Sequence, residues 1–103
     1  MMKQQTIRRV PVHPGAVLRR EMEERKISIN QFARDTRMPL SAASKLVNEQ
    51  RTVTAETALR LARYFGTSPD FWLNLQMQHD LGLAQQESGA KIEREVTEHA
   101  AVA

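Results

Sequence analysis

The chain has 103 residues, with 15 Lys plus Arg against 12 Asp plus Glu, three His and no Cys. That length holds one domain with a modest core and leaves no second domain to wall a substrate cleft. The missing cysteines exclude disulfides, thiolate metal sites and thiol nucleophiles.

Charge is unevenly placed along the chain. Residues 1–51 carry 11 basic and 5 acidic side chains, while residues 52–103 carry 4 and 7. A positive first half favours a polyanion, although small helical proteins with no such partner show the same imbalance.

In chain order, residues 1–12 lack periodicity and read as an extended, flexible basic arm leading into Val10-Pro11-Val12-His13-Pro14-Gly15. Arg8 and Arg9 in this arm have three readings as contacts: phosphate, a minor groove, or an acidic protein. A solvated arm with none of these is equally compatible. Pro14 suits the first turn of a helix running to about Arg25, with Leu18 and Met22 on one face and His13 at its cap.

Ser28 is a good N-cap for a second helix that turns Phe32 and Ala33 inward. Pro39 pushes Met38 out of the helical region and so predicts that helix's end. A third helix, Leu40 to Asn48, has Ala43, Leu46 and Val47 as its apolar face. Thr54 caps a fourth helix, Ala55 to Phe65, which Gly66 stops in the left-handed conformation. Ser68-Pro69-Asp70 starts a fifth, carrying Phe71, Trp72 and Leu75.

The tail, residues 85–103, is polar and broken at Ser88-Gly89. Ile92, Val96 and Ala100 recur every four residues, compatible with a weak separate helix. The expected domain is thus residues 13–84, an all-α bundle of five helices.

Residues 28–48 have the spacing of a helix-turn-helix, a unit that supports one helix and presents it to a DNA groove. With Ala43, Leu46 and Val47 packed inward, Leu40, Ser41, Ala42, Ser44, Lys45 and Asn48 are left facing out. Lys45 and Asn48 reach phosphates, and Ser41 and Ser44 bond a base edge or a phosphate oxygen. Gln31, the free amides starting the second helix, and Arg51 and Thr52 in the following loop are further phosphate candidates. An ordinary solvated helix of a small bundle shares this spacing, so the pattern alone does not settle the function.

His13-Pro14-Gly15, Ser28 to Asn48, and the run from Thr54 through Phe65-Gly66-Thr67-Ser68-Pro69-Asp70-Phe71-Trp72-Leu73-Asn74-Leu75-Gln76 resemble the HigA-type antitoxins of the lambda-repressor-like helix-turn-helix group. The resemblance covers about residues 13–84. It implies a five-helix lambda-repressor-like DNA-binding domain. It also implies a dimeric repressor of its own operon that silences a HigB-type toxin, an mRNA endonuclease. Three positions depart from the pattern: Arg37 and Glu49 stand where glycine is usual, and Ile29 where related repressors often carry glutamine. Arg37 at a left-handed position implies mild strain, and Glu49 puts a negative charge near the DNA.

Adjacent helical residues lie about 100° apart, so Phe71 and Trp72 cannot both enter one small core. Phe71 is expected inside. Trp72, with Leu75 and Met77, is expected on a second surface that pairs two copies across a palindromic operator. The outward face of the reading helix is short, so each half-site is expected to be weakly specific.

His13, His79 and His99 lie far apart in sequence with no carboxylate pair at ligand spacing; they are expected at the surface with no metal. Gly-rich phosphate loops and nucleophile elbows are absent from the sequence, which argues against an enzyme, a cofactor and a small-molecule substrate. No apolar run approaches the roughly 18 residues of a membrane span, and the early basic residues lack a following apolar segment. The expected location is cytoplasmic. Two rival readings remain: a stand-alone repressor without a toxin, and an interaction module with weakened DNA binding.

Overall fold

Local signals start four of the five helices. The computed structural model describes residues 10–100. Helix α1, Pro14–Glu24, begins at His13, whose Nδ1 accepts from the Gly15 amide at 2.8 Å. Helix α2, Ile29–Thr36, is capped by Ser28 Oγ accepting from Gln31 N at 3.1 Å. Helix α4, Ala55–Phe65, uses Thr54 in the same way and ends at Gly66, φ 77°. Helix α5, Pro69–Glu95, is capped by Ser68. Each cap satisfies one of the amides that a helix start leaves without a partner. Helix α3, Leu40–Val47, starts at Pro39 and has no side-chain cap.

Pro39 therefore begins α3; it does not end α2. Helix α2 closes at Thr36 because Arg37 turns into the left-handed region, φ 59° and ψ 38°. There the Met38 amide reaches back to Ala33 O at 3.0 Å. Glu49, φ 62°, ends α3 with the same backbone turn. Neither residue is glycine, and each such position costs about 1 kcal/mol.

The two helices of the helix-turn-helix are braced from outside. Arg60 of α4 donates to Thr36 O at 2.9 Å while pairing with Glu56 at 2.9 Å. Arg19 of α1 donates to Val47 O and pairs with Glu49 at 2.9 Å. Both guanidinium groups satisfy a carbonyl at a helix end, where the backbone has no helical donor to offer. Gly15 lets α1 approach the same place, since a Cβ there would stand 2.2 Å from Leu46 O.

The core forms around Leu18, Phe32, Ala43, Leu46, Ala58, Leu61 and Trp72, all fully buried. Burying each large apolar side chain contributes about 2 kcal/mol, which holds the helices together against their chain entropy. The expectation for α5 is reversed here. Trp72 is inside, tilted against Phe65 at 5.8 Å between ring centroids and donating its indole N–H to Thr67 Oγ1 at 2.8 Å. Phe71 is 42% exposed and lies edge-on against the indole. Packing of α5 on both α4 and α1 sets its rotation, and that rotation turns position 72 inward.

Helix α5 runs unbroken through Ser88 and Gly89 to Glu95. A helical glycine costs only about 1 kcal/mol, too little to stop a helix whose neighbours favour it. Just before α1, Val10 and Pro11 lie against α5, where a Cβ on Gly82 would stand 2.6 Å from Pro11 Cδ. His79 Nδ1 donates to Pro11 O at 2.7 Å. Arg8 and Arg9 lie outside the described residues.

Candidate nucleic-acid interface

Helix α3 is two turns long, about 12 Å, and shows two chemically different sides. Ala43 and Leu46 are buried and Val47 half-buried against the support. Ser41, Lys45 and Asn48 are exposed, Leu40 is half-exposed, and Ser44 is half-buried. Asn48 Nδ2 is 3.5 Å from Ser44 Oγ, a loose contact that leaves the amide able to turn to another acceptor. Gln31 at the start of α2, and Arg51 and Thr52 in the loop to α4, are also exposed. Among the described residues, neither Lys45 nor Arg51 takes part in an ion pair.

Two expected contacts change. Ala42 is 7% exposed and lines the groove toward Thr54 and Thr57 at the start of α4, so it packs the support and does not face outward. At the start of α2, the Gln31 amide is already taken by Ser28, leaving only the amides ahead of it for an anion. By contrast, the missing cap on α3 leaves its leading amides, beside Leu40 and Ser41, without a side-chain acceptor. The positive end of this helix is therefore open, the condition under which a helix start attracts phosphate.

The proposed dimer surface changes as well. Trp72 is buried and leaves it, and Leu75 packs partly against the core. Met77, 48% exposed, stays open and borders an apolar groove with Leu73, Leu81, Ala84 and Val53.

Three positioning residues escaped the sequence reading. Gln76, 5% exposed, accepts from the Val53 amide at 2.8 Å and donates to Asp80 at 2.9 Å, tying the Arg51-Thr52 loop to α5. Arg19 and Arg60 brace the helix ends from 28 and 24 residues away. Long-range hydrogen bonds of this kind leave no periodic trace in a sequence.

His13 is the fourth surprise, because it is buried and its ring meets His79 edge-on at 5.0 Å. Burial, and then the neighbouring His79, hold its pKa below the usual histidine value. Glu49, Asp80 and the Arg51 backbone carbonyl oppose this shift. Among the described residues, no cluster of three or more His, Asp or Glu is placed to hold a metal. Among the described residues, no helix is long and apolar enough to cross a membrane.

The helix-turn-helix family model matches residues 18–72, from the middle of α1 to the buried tryptophan of α5. Virulence-associated protein I of Dichelobacter nodosus is 42% identical over 77 residues, 74% of this chain and 71% of that protein. A HigA-family addiction module antidote protein from Coxiella burnetii superposes with a TM-score of 0.84 at 46% identity, covering 88% of this chain and all of the other. The Pseudomonas aeruginosa antitoxin HigA, solved with the higBA promoter, superposes with a TM-score of 0.83 at 40% identity, covering 87% and 99%. With its two braced helices and a family match over more than half its length, this chain belongs to the lambda-repressor-like helix-turn-helix family.

Proposed function

We propose that the chain is an operator-binding autorepressor and the antitoxin of a HigB-type toxin. The observation that carries the DNA reading is the state of α3, uncapped at its start and polar along its open face. Its C-terminal end is held by Arg19. A helix held in this way presents amides and side chains to a groove without first paying to order them. Gln31, Leu40, Ser41, Ser44, Lys45, Asn48, Arg51 and Thr52 form the contact set. The Pseudomonas aeruginosa antitoxin HigA, solved with the higBA promoter, supports a DNA-binding role by analogy.

Two copies pair through the apolar α5 face around Met77, Leu81 and Ala84. Pairing sets two reading helices about 34 Å apart, one turn of DNA, so two weak half-sites sum to a useful affinity. Toxin neutralisation rests on the resemblance to HigA-type antitoxins.

Fluorescence anisotropy with the DNA upstream of the protein's own gene tests the first part. Specific binding should exceed binding to scrambled duplex, and the salt slope should fall by about one counterion in Lys45→Ala. Failure to bind any duplex at low salt would overturn the reading. Co-expression with the product of the neighbouring reading frame tests the second part. A toxic product that stays toxic in the presence of this chain would leave a stand-alone repressor.

A further inference from the structure

We propose that Arg19 masks the carboxylate of Glu49 from bound DNA, and so makes an acidic residue tolerable beside the reading helix. The proposal rests on the DNA reading above. Glu49 directly follows Asn48 and lies two residues before Arg51, between two side chains assigned to phosphate. Consecutive Cα atoms are 3.8 Å apart, so this carboxylate lies within about one Debye length of those phosphates at physiological salt. Left alone, it would repel them.

It is not left alone. Arg19 Nη2 stands 2.9 Å from Glu49 Oε2, while Nη1 of the same guanidinium donates to Val47 O. One planar group thus satisfies the reading helix's last turn and neutralises the acid that follows it. Glu49 also faces His13, and the first turn of α1 is pressed against it through Gly15, 3.2 Å from a Cβ there to Glu49 Cγ. Helix α1 therefore supplies the positive side of this contact from a rigid element. The ion pair is solvent-accessible, with side-chain exposures of 42% and 38%. It adds little to stability in water, so its effect should appear in DNA binding.

The test is a charge cycle on the full chain, read as affinity for the upstream duplex at fixed salt, with helicity checked by circular dichroism. Arg19→Ala should weaken binding about threefold to tenfold. Arg19→Gln combined with Glu49→Gln should return to within about twofold of the parent, because the charge to be masked is gone while a donor for Val47 O remains. Glu49→Gln alone should bind as the parent or tighter. Arg19→Gln keeps a donor for Val47 O without the charge; it should bind as weakly as Arg19→Ala, and it serves if the alanine variant does not fold. Unchanged binding by Arg19→Ala, or a double variant as weak as the single, would overturn the proposal. A double variant that stays weak with a salt slope reduced by about one would make Arg19 a direct phosphate contact, which also overturns it. A parent protein that binds no duplex would instead overturn the DNA reading.

Discussion

Replacing the two adjacent aromatics of α5 one at a time should produce very unequal losses of stability. Trp72 is fully buried, packs 5.8 Å from Phe65 and donates to Thr67. An aromatic of this size buries about 200 Å², about 5 kcal/mol at the usual area coefficient, and measured truncations of buried aromatics cost about 3–5 kcal/mol. The Thr67 hydroxyl adds little, since Thr67 is exposed and water replaces the indole. Phe71 keeps 42% of its surface in water, so its truncation should cost about 1 kcal/mol. A domain of this size is stable by only about 5–10 kcal/mol, so Trp72→Ala leaves little margin. Urea unfolding followed by circular dichroism at several protein concentrations provides the assay. If Phe71→Ala cost as much as Trp72→Ala or more, the inward rotation of position 72 would be wrong, and with it the removal of Trp72 from the dimer surface.

Gly15→Ala should separate α1 from the end of the reading helix, because its Cβ would stand 2.2 Å from a backbone carbonyl that cannot rotate away. A loss of about 2–3 kcal/mol in urea unfolding, together with weaker DNA binding, is the expected result. Gln76→Leu leaves the buried Val53 amide without its acceptor and should cost about 1–3 kcal/mol. It should also raise amide exchange in residues 50–53, and unchanged exchange there would remove Gln76 as the loop's anchor. For pH, His13 has a folded pKa lowered below its unfolded value, so the unfolded chain binds more protons on acidification. Its contribution is fully present above pH about 6.5 and is lost as pH falls through the folded pKa. His13→Asn, which can still cap α1, should flatten the fall in stability below pH 6.5; a slope equal to the parent's would assign that fall to other groups.

Much of the helix plan was legible because its signals are local. Ser28, Thr54, Ser68 and Gly66 act on backbone groups within a few residues of themselves, and a cap works wherever the helix is later placed. The same locality explains one misreading. Pro39 was expected to end α2, but a left-handed residue stops a helix at its own position, and Arg37 does so first. Within the site, Ser41, Lys45 and Asn48 were placed outward by helical period alone. Ala42 was not, because it is buried in a groove that Thr54 and Thr57 also line, residues beyond the reach of that period.

The sequence by itself determined where the five helices begin, that two of them are joined as a helix-turn-helix, and which polar side chains the third helix carries. Its resemblance to HigA-type antitoxins supplied the family. Only the tertiary structure decided which of Phe71 and Trp72 turns inward, and that His13 meets His79 across 66 residues. It alone placed Arg19 and Arg60 on helix ends 28 and 24 residues away. The physical reason is common to all of these. Caps and periodicity are settled by bonds inside one helix, whereas burial and long-range hydrogen bonds depend on the angle at which one helix packs on another. No single segment encodes that angle.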